Sequence, residues 1–101
     1  MEWRSQLEKT QGFQWDFGNS KKSVHKHQVS CEEAEQVFFN RPLLLLEDPH
    51  HSKTELWIKA FGKNNTGRLL TLSFTLREDC IRIISARPMN RKEKKNYEKQ
   101  N

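Results

Sequence analysis

The sequence predicts an α+β fold. We expect a short N-terminal strand, two N-terminal helices, an antiparallel sheet of about four strands and one C-terminal helix. Three observations predict it: apolar residues at helical spacing before residue 39, a change of period to two after Pro42, and capping-box motifs at two helix starts. Because helices and strands are separated along the chain, we expect the helices to pack on one face of the sheet.

The first strand and the first helix are predicted from short patterns. Phe13–Trp15 alternates apolar and polar side chains, as a strand does. Asp16 is a suitable N-cap for a helix that runs to about His27, and Phe17 and Val24 lie seven residues apart on one face of that helix.

The second helix has a clearer start. Ser30 and Glu33 form a capping box, in which each side chain bonds a backbone amide of the first turn. Apolar residues then follow at helical spacing, and Asn40–Pro42 ends the element. These apolar residues are Cys31, Ala34, Val37 and Phe38.

The sheet is predicted from residue 43 onwards. Leu43–Glu47, Glu55–Lys63 and Leu70–Leu76 alternate with period two, and the turn residues of 63–67 separate the last two of these strands. Cys80–Arg87 has apolar groups on both faces, which is typical of a central strand.

The last helix is predicted to begin at Asn90, which forms a capping-box pattern with Glu93. Its side chains are polar except for Tyr97.

Length and composition indicate one domain. The chain has 101 residues, of which 34% are hydrophobic and 10% aromatic, so we expect a folded domain with a small core. We place the domain at residues 13–101 and interpret residues 1–12 as an N-terminal extension or a frayed helix. The longest apolar run, Leu43–Leu46, is far shorter than the roughly 20 residues that span a bilayer. Without a signal-like N-terminus we expect a cytoplasmic protein with reduced Cys31 and Cys80.

The charge of the chain favours an anionic partner. The formal net charge is +5, and residues 87–101 hold six cationic and two acidic side chains. One face of the strand at 55–63 interleaves Trp57, Lys59, Phe61 and Lys63, a pattern that suits unpaired RNA bases and phosphates. The alternative is that these aromatic rings pack under a helix, covered by lysine stems.

A metal site is not expected. His25 and His27 would lie about 200° apart on a helix, and His50 and His51 lie in a turn without enough further ligands. We therefore predict no metal and no cofactor.

Two arginines are the other candidates for chemistry. Arg82 and Arg87 lie on one strand, and their guanidinium groups match a phosphate or a carboxylate equally well. The alternative to phosphate recognition is an internal ion pair with Glu55, Glu33 or Asp16.

Several segments together resemble the BrnT toxins, from Phe13 to Tyr97. The residues that carry the resemblance are Phe13-x-Trp15-Asp16, Lys26-His27-x-Val29-Ser30, Glu55-x-Trp57, Gly67-Arg68-Leu69-Leu70, Arg82-Ile83-Ile84-Ser85-Ala86-Arg87, Glu93 and Tyr97.

The resemblance implies a RelE-like ribonuclease toxin of a type II toxin–antitoxin system. Such a toxin is a metal-independent endoribonuclease that cleaves RNA and inhibits translation. Its expected partners are a BrnA-like ribbon-helix-helix antitoxin, the RNA substrate, and operator DNA reached only through the antitoxin.

The resemblance also implies site residues. The cations for phosphate and transition-state contact are Arg68, Arg82 and Arg87. The candidates for proton transfer are Lys26, His27 and Tyr97, although His27 could instead cap a helix and Tyr97 could anchor one. The candidates for RNA binding are Trp57, Lys59, Lys63, Lys92 and Lys95.

Three positions differ from the usual family pattern. Leu56 stands where arginine is common, Phe74 where tyrosine is common, and Phe17 where proline is common. Leu56 removes a cation and Phe74 removes a phenol hydroxyl, and both groups could serve catalysis. The alternative hypothesis is therefore a catalytically weakened RNA- or protein-binding module of the same fold.

Overall fold

The computed structural model describes residues 3–15, 28–50 and 55–99. Their elements, in chain order, are α1 (Trp3–Glu8), β1 (Gly12–Trp15), α2 (Cys31–Gln36), a 3₁₀ turn (Val37–Phe39), β2 (Leu44–Glu47), β3 (Ile58–Lys63), β4 (Leu69–Arg77), β5 (Cys80–Pro88) and α3 (Arg91–Glu98). The α+β class is therefore confirmed. The helix predicted between Asp16 and His27 lies outside the described residues.

The sheet has five strands in the order β1-β5-β4-β3-β2. Strands β2 to β5 form the predicted antiparallel meander, and β5 is internal, as its apolar residues on both faces indicated. The short N-terminal strand, whose pairing the sequence left open, makes the sheet mixed, because β1 pairs parallel to β5, from Gly12 opposite Cys80 to Trp15 opposite Ile83. This pairing joins segments more than 60 residues apart, so no local turn signal predicts it.

Both predicted capping boxes are present. The Glu33 amide donates to the Ser30 hydroxyl at 3.1 Å, and the Ser30 amide donates to the Glu33 carboxylate at 3.3 Å. At the start of α3 the Glu93 amide donates to the side-chain oxygen of Asn90 at 2.8 Å, and the Asn90 amide donates to the Glu93 carboxylate at 2.9 Å. Helix α2 is shorter than predicted, because the chain tightens into the 3₁₀ turn after Gln36.

The core lies between the sheet and the elements α1, α2 and the 3₁₀ turn. The rings of Phe38 and Phe74 meet edge to face, with 5.1 Å between their centroids. A Cβ at Gly62 would lie 2.8 Å from Val37, so a glycine lets the 3₁₀ turn approach β3 closely. The other large, fully buried side chains include Ile58, Leu70, Leu72 and Ile83.

The expectation that all helices pack on one face is wrong, because α3 lies on the opposite face. Phe61 and Thr71 contact or border α3, and the strand register puts both residues on the side away from Ala60 and Leu72. Helix α3 has one apolar residue, Tyr97, which is 2% exposed. Burying that ring against β2 and β3 keeps α3 on the sheet.

The first described residues contribute to the core. Trp3 is 5% exposed and donates from Nε1 to Glu47 at 2.8 Å, while Leu7 packs against the core. The amide of Gln11 donates to the carbonyl of Asp79 at 2.7 Å, which holds the entry into β1. The domain boundary after residue 12 stays a prediction.

Two further features of the described residues bear on the sequence analysis. Cys31 and Cys80 are free thiols. In the part of the chain that the structure describes, no helix has both the length and the apolar character that a membrane span requires.

Candidate functional site: the polar face of the sheet

The face of the sheet opposite the core is the candidate site. It receives every second side chain of the three inner strands, and these side chains are mostly polar or cationic. They are Lys59, Phe61 and Lys63 of β3, Thr71, Ser73 and Thr75 of β4, and Arg82, Ser85 and Arg87 of β5.

A β-bulge brings Arg82 and Arg87 to the same face. They are five positions apart, an odd number, so a regular strand would place them on opposite faces. In the structure Arg82 pairs with Thr75 and Arg87 with Thr71, while a register shift beside Ser73 leaves one extra residue in β5. The bulge restores the alternation, and both guanidinium groups therefore project from the polar face.

Arg87 is held by a carboxylate of α3. Its Nη1 and Nη2 donate to the two oxygens of Glu93 at 2.7 and 2.8 Å, a bidentate pair. Glu93 also accepts from the Thr71 hydroxyl at 3.0 Å and from the Asn90 amide at 2.9 Å. The pKa of Glu93 is lowered to about 2, chiefly by the hydrogen bonds from Arg87. The bonds from Asn90 and Thr71 contribute to that value, and burial opposes it.

This cluster predicts a pH-dependent contribution to stability. The pKa of Glu93 is about 2 in the folded chain, below its ordinary value of 4.5, so the carboxylate stabilises the fold above pH 4.5. At pH 7, Glu93→Gln should lower the free energy of unfolding by up to about 3 kcal/mol. The difference from the wild type should shrink as the pH falls from about 4.5 to about 2.

Urea unfolding at a series of pH values measures that difference. Glu98→Gln is the matched control, because Glu98 is an exposed carboxylate of the same helix. A difference for Glu93→Gln that stays constant from pH 7 to pH 2 would contradict the assignment.

The ion pair of Arg87 differs from those that the sequence suggested, whereas Asp16, a partner suggested for Arg82 or Arg87, lies outside the described residues. Arg87 pairs with Glu93, which was not among the expected partners. Glu55 lies 3.6 Å from Arg77 instead, at an exposed position. Arg82 is half-buried in β5, between Thr75 of β4 and the strand β1.

Arg68 lies apart from the other two arginines. It precedes β4 and donates to the carboxylate of Glu33 in α2 at 3.1 Å and to the carbonyl of Gln28 at 2.9 Å. Since α2 covers the core face, these bonds hold Arg68 at that side of the sheet. The structure thus puts Arg82 and Arg87 on one face of the sheet, opposite Thr75 and Thr71 of β4, and it places Arg68 elsewhere.

The other predicted residues divide between the sheet and α3. Lys59 and Lys63 are half-buried on the polar face, and Trp57 lies just before β3. Lys92 and Lys95 are exposed on α3. Phe61 was predicted either to stack on RNA bases or to pack under a helix. It borders a cleft beneath α3, which agrees with the second alternative.

Tyr97 contacts the body of the domain. Its hydroxyl donates to the carbonyl of Pro42, and burial raises the pKa of the phenol. These contacts favour the interpretation that Tyr97 anchors α3. Lys26 and His27 lie outside the described residues. Within residues 3–15, 28–50 and 55–99, no group of three or more His, Cys, Asp or Glu side chains could hold a metal ion.

Sequence reasoning missed two residues of the site. Glu93 was treated only as part of a capping box and of the resemblance, yet it also holds Arg87. Thr71 is 3% exposed and donates to Glu93. The capping-box spacing of Asn90 and Glu93 could have indicated the role of Glu93. It places the carboxylate in the first turn of α3, directly after the strand that carries Arg87.

Two of the departures from the family pattern lie away from the polar face. Phe74 is fully buried in the core, so a tyrosine hydroxyl there would not reach Arg82 or Arg87. Leu56 packs against the same core, and its carbonyl accepts from Thr75 at 2.7 Å. Phe17 lies outside the described residues.

The fold and the site define a small α+β protein whose polar sheet face presents arginines beside a C-terminal helix. The chain belongs to a family described as "Ribonuclease toxin, BrnT, of type II toxin-antitoxin system", whose model matches residues 15–93. Comparison with curated protein sequences gives no match.

A solved structure shares the fold. The crystal structure of the Brucella abortus ribonuclease toxin BrnT superposes with a TM-score of 0.58 and 18% sequence identity, over 81% of this chain and 100% of that chain.

Proposed function

We propose that this chain is the toxin of a type II toxin–antitoxin pair and acts as a RelE-like, metal-independent endoribonuclease that inhibits translation in the cytoplasm. The observation that carries the proposal is the placement of Arg82 and Arg87 on one polar face by the bulge in β5. Membership in the BrnT family supports the same activity.

The chemistry requires three tasks. A base removes the proton of a ribose 2′-hydroxyl, cations stabilise the dianionic phosphorane, and an acid protonates the departing 5′-oxygen. Arg82 and Arg87 supply the cations, and Lys26 and His27 are the proposed groups for proton transfer. In this scheme Tyr97 acts through α3, which it anchors.

The pair with Glu93 leaves Arg87 able to bind an anion. Nη1 donates to Glu93 and to the carbonyl of Pro88, and Nη2 donates to Glu93. These bonds use three of the five N–H groups of a guanidinium. The two N–H groups that remain can face a phosphate, while Glu93 keeps the plane of the guanidinium in one orientation.

A second candidate function is a non-catalytic RNA- or protein-binding module. The observation that favours it is that Arg87 and Tyr97, two of the predicted catalytic residues, are both engaged in internal contacts. The two functions predict different products when RNA is added.

The mechanism predicts cleavage without a metal ion. The purified chain should cut RNA in excess EDTA and leave 2′,3′-cyclic phosphate ends, because arginine rather than a metal stabilises the phosphorane. Gel electrophoresis and end-group analysis of the fragments measure both properties. The control is an Arg82→Ala/Arg87→Ala double variant purified in the same way, which reports any contaminating nuclease.

An absolute requirement for Mg²⁺ with 5′-phosphate products would contradict this mechanism. Tight RNA binding with intact RNA would favour the non-catalytic module instead.

A further inference from the structure

A cleft of about 340 Å³ lies between the edge strand β2 and helix α3. Its lining is mostly apolar and comes from Leu44, Leu45, Leu46, Phe61 and Tyr97. Glu93 also lines the cleft, and its carboxylate is bound by Arg87. Leu46 is 60% exposed at this cleft. Phe39 is likewise exposed at a second cleft beside β1, so the choice of the cleft beside α3 depends on the lysines described below.

The cleft is also open on the backbone side. β2 is the last strand of the sheet, and no strand of the described residues pairs with its outer edge. Alternate N–H and C=O groups of an edge strand point away from the sheet, and an extended segment of another protein can bind them.

Helical spacing places two lysines beside the cleft, on its α3 side. Asn96 of α3 lines the cleft, and helical spacing places Lys92 and Lys99 on the same side of the helix, four residues before it and three after it. Both lysines are exposed. Lys94 lies on the opposite flank of α3, so it provides a comparison within the same helix.

We infer that the cleft between β2 and α3 is the docking site for an acidic segment of the protein that inhibits this chain, one in which carboxylates alternate with apolar side chains. The inference rests on the proposed function. The apolar floor suits aliphatic side chains rather than nucleotides, and the two lysines beside the cleft complement carboxylates. A segment bound there would also cover Lys92, one of the residues proposed to bind RNA.

The test uses the full chain and the BrnA-like ribbon-helix-helix antitoxin that is its expected partner, with their affinity measured by calorimetric titration. Leu46→Asp and Lys99→Glu should each weaken the complex at least about tenfold, because each places a like charge against the acidic segment. Phe39→Asp and Lys94→Glu are the matched controls, since Phe39 is 74% exposed and lies on the other side of the sheet. Both controls should bind like the wild type.

Thermal melting and a second variant, Leu46→Ser, separate docking from folding. Leu46→Ser should keep the wild-type melting temperature and still weaken the complex. The proposal is overturned if the cleft variants bind normally, if the controls weaken the complex as much, if the antitoxin does not bind, or if Leu46→Asp lowers RNA affinity instead.

RNA cleavage by the free wild-type chain is measured separately. If it cuts no RNA but the cleft variants lose the partner, the docking site stands and the nuclease proposal fails. If it cuts RNA and the cleft variants bind normally, only the docking site fails.

Discussion

Replacing Arg87 by alanine should lower the single-turnover rate of RNA cleavage about a hundredfold or more. The guanidinium lies on the polar face in a bidentate pair with Glu93, so it meets the developing phosphorane with its orientation already set. Losing one such charge costs about 3 kcal/mol of transition-state stabilisation. RNA affinity should fall much less, since the contact strengthens in the transition state. Arg87→Lys should recover little, because an ammonium group lacks the planar fork.

Two control variants separate this effect from a loss of stability. Arg77→Ala removes an exposed strand arginine whose partner is Glu55, and it should cleave like the wild type. Glu93→Gln weakens the same pair but keeps the guanidinium, so its melting temperature shows how much of the stability lost in Arg87→Ala comes from the pair. Cleavage by Arg87→Ala within about threefold of the wild type would remove Arg87 from the proposed active site.

Replacing Phe74 by alanine should lower the free energy of unfolding by about 3–5 kcal/mol. The ring is fully buried at the centre of the core and packs edge to face on Phe38. A small domain has a total stability of about 5–15 kcal/mol, so this loss should leave the variant close to unfolding at 37 °C. Urea unfolding followed by circular dichroism measures the difference.

The matched control is Phe39→Ala, the same substitution at a position that is 74% exposed. It should cost less than about 1 kcal/mol, because most of that ring already contacts water. Equal losses at the two positions would contradict the core described above.

Local signals predicted most of the regular structure. The capping boxes at Ser30 and Asn90 were confirmed because their hydrogen bonds join residues three apart, a distance that the sequence reports directly. The period of two in β3 and β4 likewise follows from burial of one face of a strand. The burial of Trp3 depends on contacts with residues far along the chain, so it was not predicted.

The candidate site was only partly predictable. Sequence reasoning selected Arg82 and Arg87, but it could not show whether they share a face, since the answer depends on a bulge in the pairing with β4. It grouped Arg68 with them, whereas the structure pairs Arg68 with α2. It also expected α3 on the same face as the other helices, where Glu93 could not have reached Arg87.

The sequence by itself determined the α+β class, the antiparallel meander, the two helix starts and the family, because each depends on residue types at short, regular spacing. Tertiary structure alone decided the parallel pairing of β1 with β5, the face on which α3 packs, and the placement of Arg82 and Arg87 on one face. Each of these depends on which distant segments bury one another. The physical reason is that packing depends on contacts between segments far apart in the chain, whereas a sequence pattern reflects only the spacing of residues that are close in the chain.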